Sequence, residues 1–63
     1  MATVFDVVLK EIGERRDAVA QAITGGAAKD YAEYKYLTGE LRGLALAEGY
    51  IRDLVRHMEE TDE

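Results

Sequence analysis

Between Asp30 and Met58 the apolar residues Leu37, Leu44, Ile51 and Met58 recur every seven positions, and Tyr34, Leu41 and Val55 fill most of the alternating places three or four residues away. This spacing puts them on one side of an α-helix and predicts a buried seam there. Glu48 occupies the slot between Leu41 and Val55, so its carboxylate must reach water, meet a cation or mark where the partner helix ends. An earlier stretch repeats the pattern. Phe5, Ile12 and Val19 are seven apart, with Val8, Leu9, Ala22 and Ile23 beside them, which predicts a second helix carrying a matching coiled-coil-like seam. Gly13 falls off that seam.

The boundaries follow from capping and turn chemistry. Thr3 and Asp6 form a variant capping box, so the first helix is expected near Val4 to Thr24. Thr24-Gly25-Gly26 interrupts the pattern just after Ile23, where glycine can take the left-handed conformation that ends a helix and a second glycine lets the chain reverse. The second helix is expected over about 27–60, starting directly at Ala27-Ala28-Lys29 or one turn later behind an Asp30 cap. A short connection between amphipathic helices makes them antiparallel neighbours. The predicted fold is thus all-α: one domain over 1–63, a two-helix antiparallel hairpin with a Gly-Gly turn, completed by oligomerisation. The acidic tail Glu59-Glu60-Thr61-Asp62-Glu63 lies at the negative helix end and should fray.

The two lengths do not match. The first helix spans ~30 Å and the second ~48 Å, so the partner is expected to run out near Glu48, leaving Ile51, Leu54, Val55 and Met58 for another subunit to cover. A second set, Tyr36, Gly39, Gly43, Leu46 and Tyr50, falls roughly opposite the seam, where a simple hairpin would show charge. Gly39, Gly43 and Ala47 form a stripe of small residues that would let another backbone approach closely, the alternative being glycines tolerated on an exposed face. The expected protein interface comprises Tyr36, Gly39, Gly43, Leu46, Tyr50, Ile51, Leu54, Val55 and Met58.

Composition narrows the partners. With 63 residues and no Cys, the chain has neither disulfides nor thiolate metal ligands to stabilise a small core. It carries 13 acidic and 8 basic residues, net charge −5, and Arg15-Arg16 is its only adjacent basic pair, so nucleic acid is not an expected partner. The ordinary reading of Arg15 and Arg16 is a snorkelling surface pair, and the alternative sends one guanidinium to a facing acid such as Glu40 or Glu48. No run is apolar enough to span a membrane. The opening MATVFDVVLKEIG, with Asp6 and Glu11, does not read as a secretory signal.

Candidate chemistry is sparse. Asp53, His57 and Glu60 share a helical face, but one helix offers a metal poor geometry, so no metal site is expected. Tyr31, Tyr34, Tyr36 and Tyr50 lack the basic interleaving of a base-stacking platform and are expected in the core and at interfaces. Neither a phosphate-binding glycine loop nor a nucleophile with its base is present, so the expectation is a non-enzyme with no cofactor.

The pattern D-Y-x-x-Y-x-x-L-x-G-E-L-R-G-L-x-x-A-E-x-x-I-x-D-L over Asp30 to Leu54 resembles small helical proteins of tailed bacteriophages, encoded near virion structural genes. That resemblance implies a phage accessory or virion-assembly protein in the host bacterial cytoplasm or on the virion. Two functions are expected on this basis. The first is self-association, a dimer being the simplest closed form, together with binding to a larger virion component. The other is inhibition of a host protein by a compact acidic hairpin.

Overall fold

The computed structural model describes residues 3–61, and within them the chain forms two α-helices packed against each other with no strand. Helix α1 is Val4–Thr24 and α2 is Tyr31–Thr61. The molecule measures 51 × 19 × 13 Å and its radius of gyration is 14.9 Å, against about 11 Å for a compact domain of this length.

Both N-termini are capped by side chains. The Thr3 hydroxyl accepts from the Asp6 amide at 3.2 Å, and the Asp6 carboxylate accepts from the Thr3 amide at 3.0 Å, which is the expected capping box. For α2 the Asp30 carboxylate accepts from the Glu33 amide at 2.8 Å. That cap sets the helix start: residues 27–30 lie outside α2, and of the two starts expected it is the later one, behind Asp30, that is found.

α1 ends in a Schellman motif, with Ala27 N–H donating to the Ala22 carbonyl at 2.9 Å and Gly26 N–H to that of Ile23 at 3.3 Å. The two glycines serve different ends. Gly26 takes the left-handed conformation, φ 75°, while at Gly25 a Cβ would come within 2.9 Å of the Gln21 carbonyl oxygen. At the other end α2 runs through Thr61, within one residue of the expected 60. Asp62 and Glu63, in the expected frayed tail, lie outside the described residues.

The seam is present, but thin. Val19 is the one fully buried apolar residue among those described, and the row Leu37, Leu41, Leu44, Ile51 and Val55 on α2, like Phe5, Val8, Leu9, Ile12 and Ile23 on α1, is half-buried. Tyr34 and Met58, expected on the seam, are 46% and 47% exposed. The reason is the mismatch between a seven-residue repeat and a straight helix. It drifts by about 20° per heptad, so the ends of a seam rotate away from the partner in opposite senses.

Glu48 does not mark the end of the partner helix. A Cβ on Gly13 would lie 3.7 Å from the Glu48 carboxylate, which therefore meets the middle of α1. α1 continues nine residues, ~14 Å, from Gly13 back to Val4. Ile51 and Val55 are accordingly half-buried instead of overhanging, and Gly13, expected off the seam, is half-buried where it faces Glu48.

Candidate functional site

Two ion pairs join the helices. The Arg15 guanidinium grips Glu40 in a fork, Nε donating to Oε2 at 2.6 Å and Nη2 to Oε1 at 3.1 Å. Arg16 Nη1 donates to Glu48 Oε1 at 2.7 Å, while its Nη2 reaches Asp17 at 3.3 Å. Arg52, one turn along α2, brings a second cation to 3.9 Å from Glu48. The reading of Arg15 and Arg16 as a snorkelling surface pair is therefore overturned. A carboxylate buried to 3% exposure attracts the nearest cation, because an unpaired buried charge is expensive. No buried side-chain nitrogen or oxygen among the described residues lacks a hydrogen-bond partner.

These contacts also shift ionisation. The hydrogen bond from Arg15 holds the Glu40 carboxyl below its ordinary value of 4.5, against an opposing effect of desolvation. Hydrogen bonding to Glu40 raises Arg15, and the charge of Glu48 is the main cause raising Arg16.

The ion pairs locate a third face. Along α1 the i+4 row Val7, Glu11, Arg15 leads from an exposed valine to the cation. Along α2, Glu40 belongs to the row Tyr36, Glu40, Gly43, Ala47. The Arg15–Glu40 bridge thus brings the two rows to the same side of the molecule. On a helical projection Val4 on α1 and Tyr36, Leu54 and Met58 on α2 fall there, whereas Val7 on α1 and Leu46 and Tyr50 on α2 point more nearly away from the other helix. With Tyr31 and Tyr34 these seven make up the nine large apolar side chains that remain exposed among the described residues. On a helical projection Tyr31 and Tyr34 lie away from it.

Of the nine interface residues expected, Tyr36, Gly39, Gly43, Leu46, Tyr50, Leu54 and Met58 are exposed, and Ile51 and Val55 are half-buried. A Cβ on Gly39 or Gly43 would meet nothing within 4 Å, so the small-residue stripe opens outward from α2. Val4 and Val7 were not among the expected residues. The available signal was the apolar cluster Val4, Val7, Val8, which is wider than one seam needs. The tyrosines contribute no core: Tyr31, Tyr36 and Tyr50 are each about 70% exposed, and the Lys35 ammonium lies 5.7 Å from the Tyr31 ring centroid.

Elsewhere, Asp53 pairs with Arg56 one turn on. Among the described residues no three His, Asp or Glu groups are placed to hold a metal ion, no pocket is enclosed, and no helix is long and apolar enough to cross a membrane. No protein-family model, curated protein or solved structure matches this chain.

Proposed function

We propose that this chain is a non-enzymatic helical assembly protein that acts by self-association, its unit an antiparallel hairpin turned at Gly25-Gly26. The antiparallel reading is supported by reach. Were the helices parallel with Gly13 and Arg16 beside Glu48, the end of α1 and the start of α2 would be about 40 Å apart. The connection over 25–30 spans at most about 24 Å.

One observation carries the self-association reading: the chain exposes 5042 Å², whereas about 4,000 Å² is expected of a compact 7.0 kDa protein. The surplus is of the size that one partner contributes to a standard protein interface, roughly 800 Å². Association with another helical surface would bring exposure and radius of gyration back toward the usual relation. The phage setting, with the virion or host protein as a further partner, rests only on the resemblance of Asp30 to Leu54. Sedimentation across a concentration series tests the proposal. Mass rising to a dimer or above is expected, and a monomer at every concentration would overturn it.

A further inference from the structure

We infer that Glu48 and Arg16 act as a register lock: one charged pair, set in an otherwise apolar seam, selects a single alignment of α1 on α2 from those that the heptad pattern would accept. The inference rests on the antiparallel reading above and adds what fixes the pairing.

The seam by itself does not choose. Its residues recur every seven positions on both helices, Phe5, Ile12 and Val19 on α1 and Leu37, Leu44 and Ile51 on α2, so a slide of one heptad sets apolar side chains on apolar side chains again. Such a slide moves one helix along the other by about 10 Å. The connection does not forbid it. With Gly13 beside the Glu48 carboxylate, antiparallel helices place Thr24 beside Leu37, six residues into α2 from Tyr31. A slide in one direction lengthens that offset to roughly 20 Å, within the reach of about 24 Å of residues 25–30, and a slide in the other nearly removes it.

Glu48 is the residue that tells these alignments apart. In the row Tyr34, Leu41, Glu48, Val55 it is the only charge, and at 3% exposure its carboxylate requires a cation. In the observed alignment Arg16 supplies one at 2.7 Å, extending toward the start of α1, the direction in which helical side chains lean. After a slide of one heptad the carboxylate lies beside Ala20 or Asp6 instead of Gly13. Beside Ala20, Arg16 would have to extend a full turn the other way, and Ala47 would replace Glu40 beside Arg15, so the second bridge is lost as well. Beside Asp6, one carboxylate faces another and Arg16 is about 15 Å away. Arg52 does not discriminate, because it travels with Glu48 on the same helix, and at 3.9 Å it lies beyond hydrogen-bonding distance. A single polar residue in an apolar heptad seam fixes register in this way at a cost in stability.

The test is pulsed electron resonance on the full chain carrying two nitroxide labels, diluted with unlabelled chain so that only distances within one molecule are read. Val7→Cys with Arg42→Cys supplies two exposed thiols in a sequence that has no Cys. In the antiparallel alignment Val7 lies beside Leu54, so the labels are offset by roughly 18 Å along the helices, and one narrow distance distribution is expected. Parallel helices would put the labels abreast, which would overturn the hairpin reading itself. Adding Glu48→Leu is expected to bring in a second population displaced by about 10 Å along the helices, with helix content by circular dichroism unchanged. Glu48→Leu with Arg16→Leu should do the same. A single unchanged distance in both variants would overturn the lock, as would two distances already present with Glu48 in place. Loss of helix in both variants would overturn it too, since the pair would then hold the helices together instead of choosing among alignments.

Discussion

Glu48 offers the sharpest check on the packing, since it is a carboxylate at 3% exposure in a heptad slot that an apolar residue would normally fill. Glu48→Ala removes the 2.7 Å charge-assisted bond from Arg16, a contact of about 1.5–3 kcal/mol, along with one buried methylene at roughly 0.8 kcal/mol. The Arg16 side chain is 38% exposed and can rehydrate, so the expected loss lies toward the lower end, about 2–3 kcal/mol. Glu48→Leu loses the same bond but regains about 1.5–3 kcal/mol from burying leucine, which leaves it within roughly 1 kcal/mol of the parent.

For a domain this small, 1 kcal/mol moves the thermal midpoint by about 4–8 °C. Alanine should therefore lower it by roughly 10–20 °C and leucine by less than about 8 °C. Both are measured by circular dichroism at one fixed protein concentration, so that any association contributes equally to the two midpoints. The reasoning fails in two distinguishable ways. If leucine destabilises as much as alanine, the ion pair and not the packing holds the helices together there; if alanine changes nothing, Glu48 is not buried in solution.

Three further outcomes are expected. Leu44→Ala, at a half-buried seam position, should destabilise by about 1–3 kcal/mol in urea titration, less than the 2–5 kcal/mol of a fully buried leucine. Gly26→Ala should lose about 1–2 kcal/mol in the same assay because its φ of 75° is left-handed, and retention of full stability would mean that the α1 terminus relaxes. The depressed Glu40 carboxyl contributes stability that is fully present above its ordinary value of 4.5 and is lost as pH falls through its lower folded value. Glu40→Gln should therefore lie below the parent at neutral pH and converge with it in acid, and a gap that does not change with pH would exclude the Arg15 contact as its cause.

Much of the fold was legible because it depends on short-range rules. Heptad spacing marks the facing rows, Thr3 with Asp6 marks the start of α1, and the glycines mark its end. Two features needed three dimensions. The register did not follow from helix lengths, since residues 25–30 and the first turns of α2 take up much of the difference, and Glu48 lands beside Gly13 and Arg16 instead of past the end of α1. The fate of Tyr34 and Met58 depended on how quickly a straight helix turns its seam away, a rotation that the spacing of apolar positions conceals. At the candidate site, the α2 stripe was visible as an apolar back to an amphipathic helix. The α1 part was not, because Val4 joins that side only when a neighbouring helix lies alongside it.

The two ion pairs differ in what they do for that surface. Arg16–Glu48 has one partner almost fully buried, so it satisfies a charge inside the seam. Arg15–Glu40 has side chains 58% and 23% exposed, and as a surface pair it adds little to the stability of the two packed helices. Its importance is positional. It sits where the exposed rows of the two helices meet, with the fork geometry of arginine meeting both carboxylate oxygens. A lysine there would present a point charge with no matching fork. Were this side of the molecule covered, a pair already engaged in this way would bring fewer unmet hydrogen-bonding groups out of water than two separate charges.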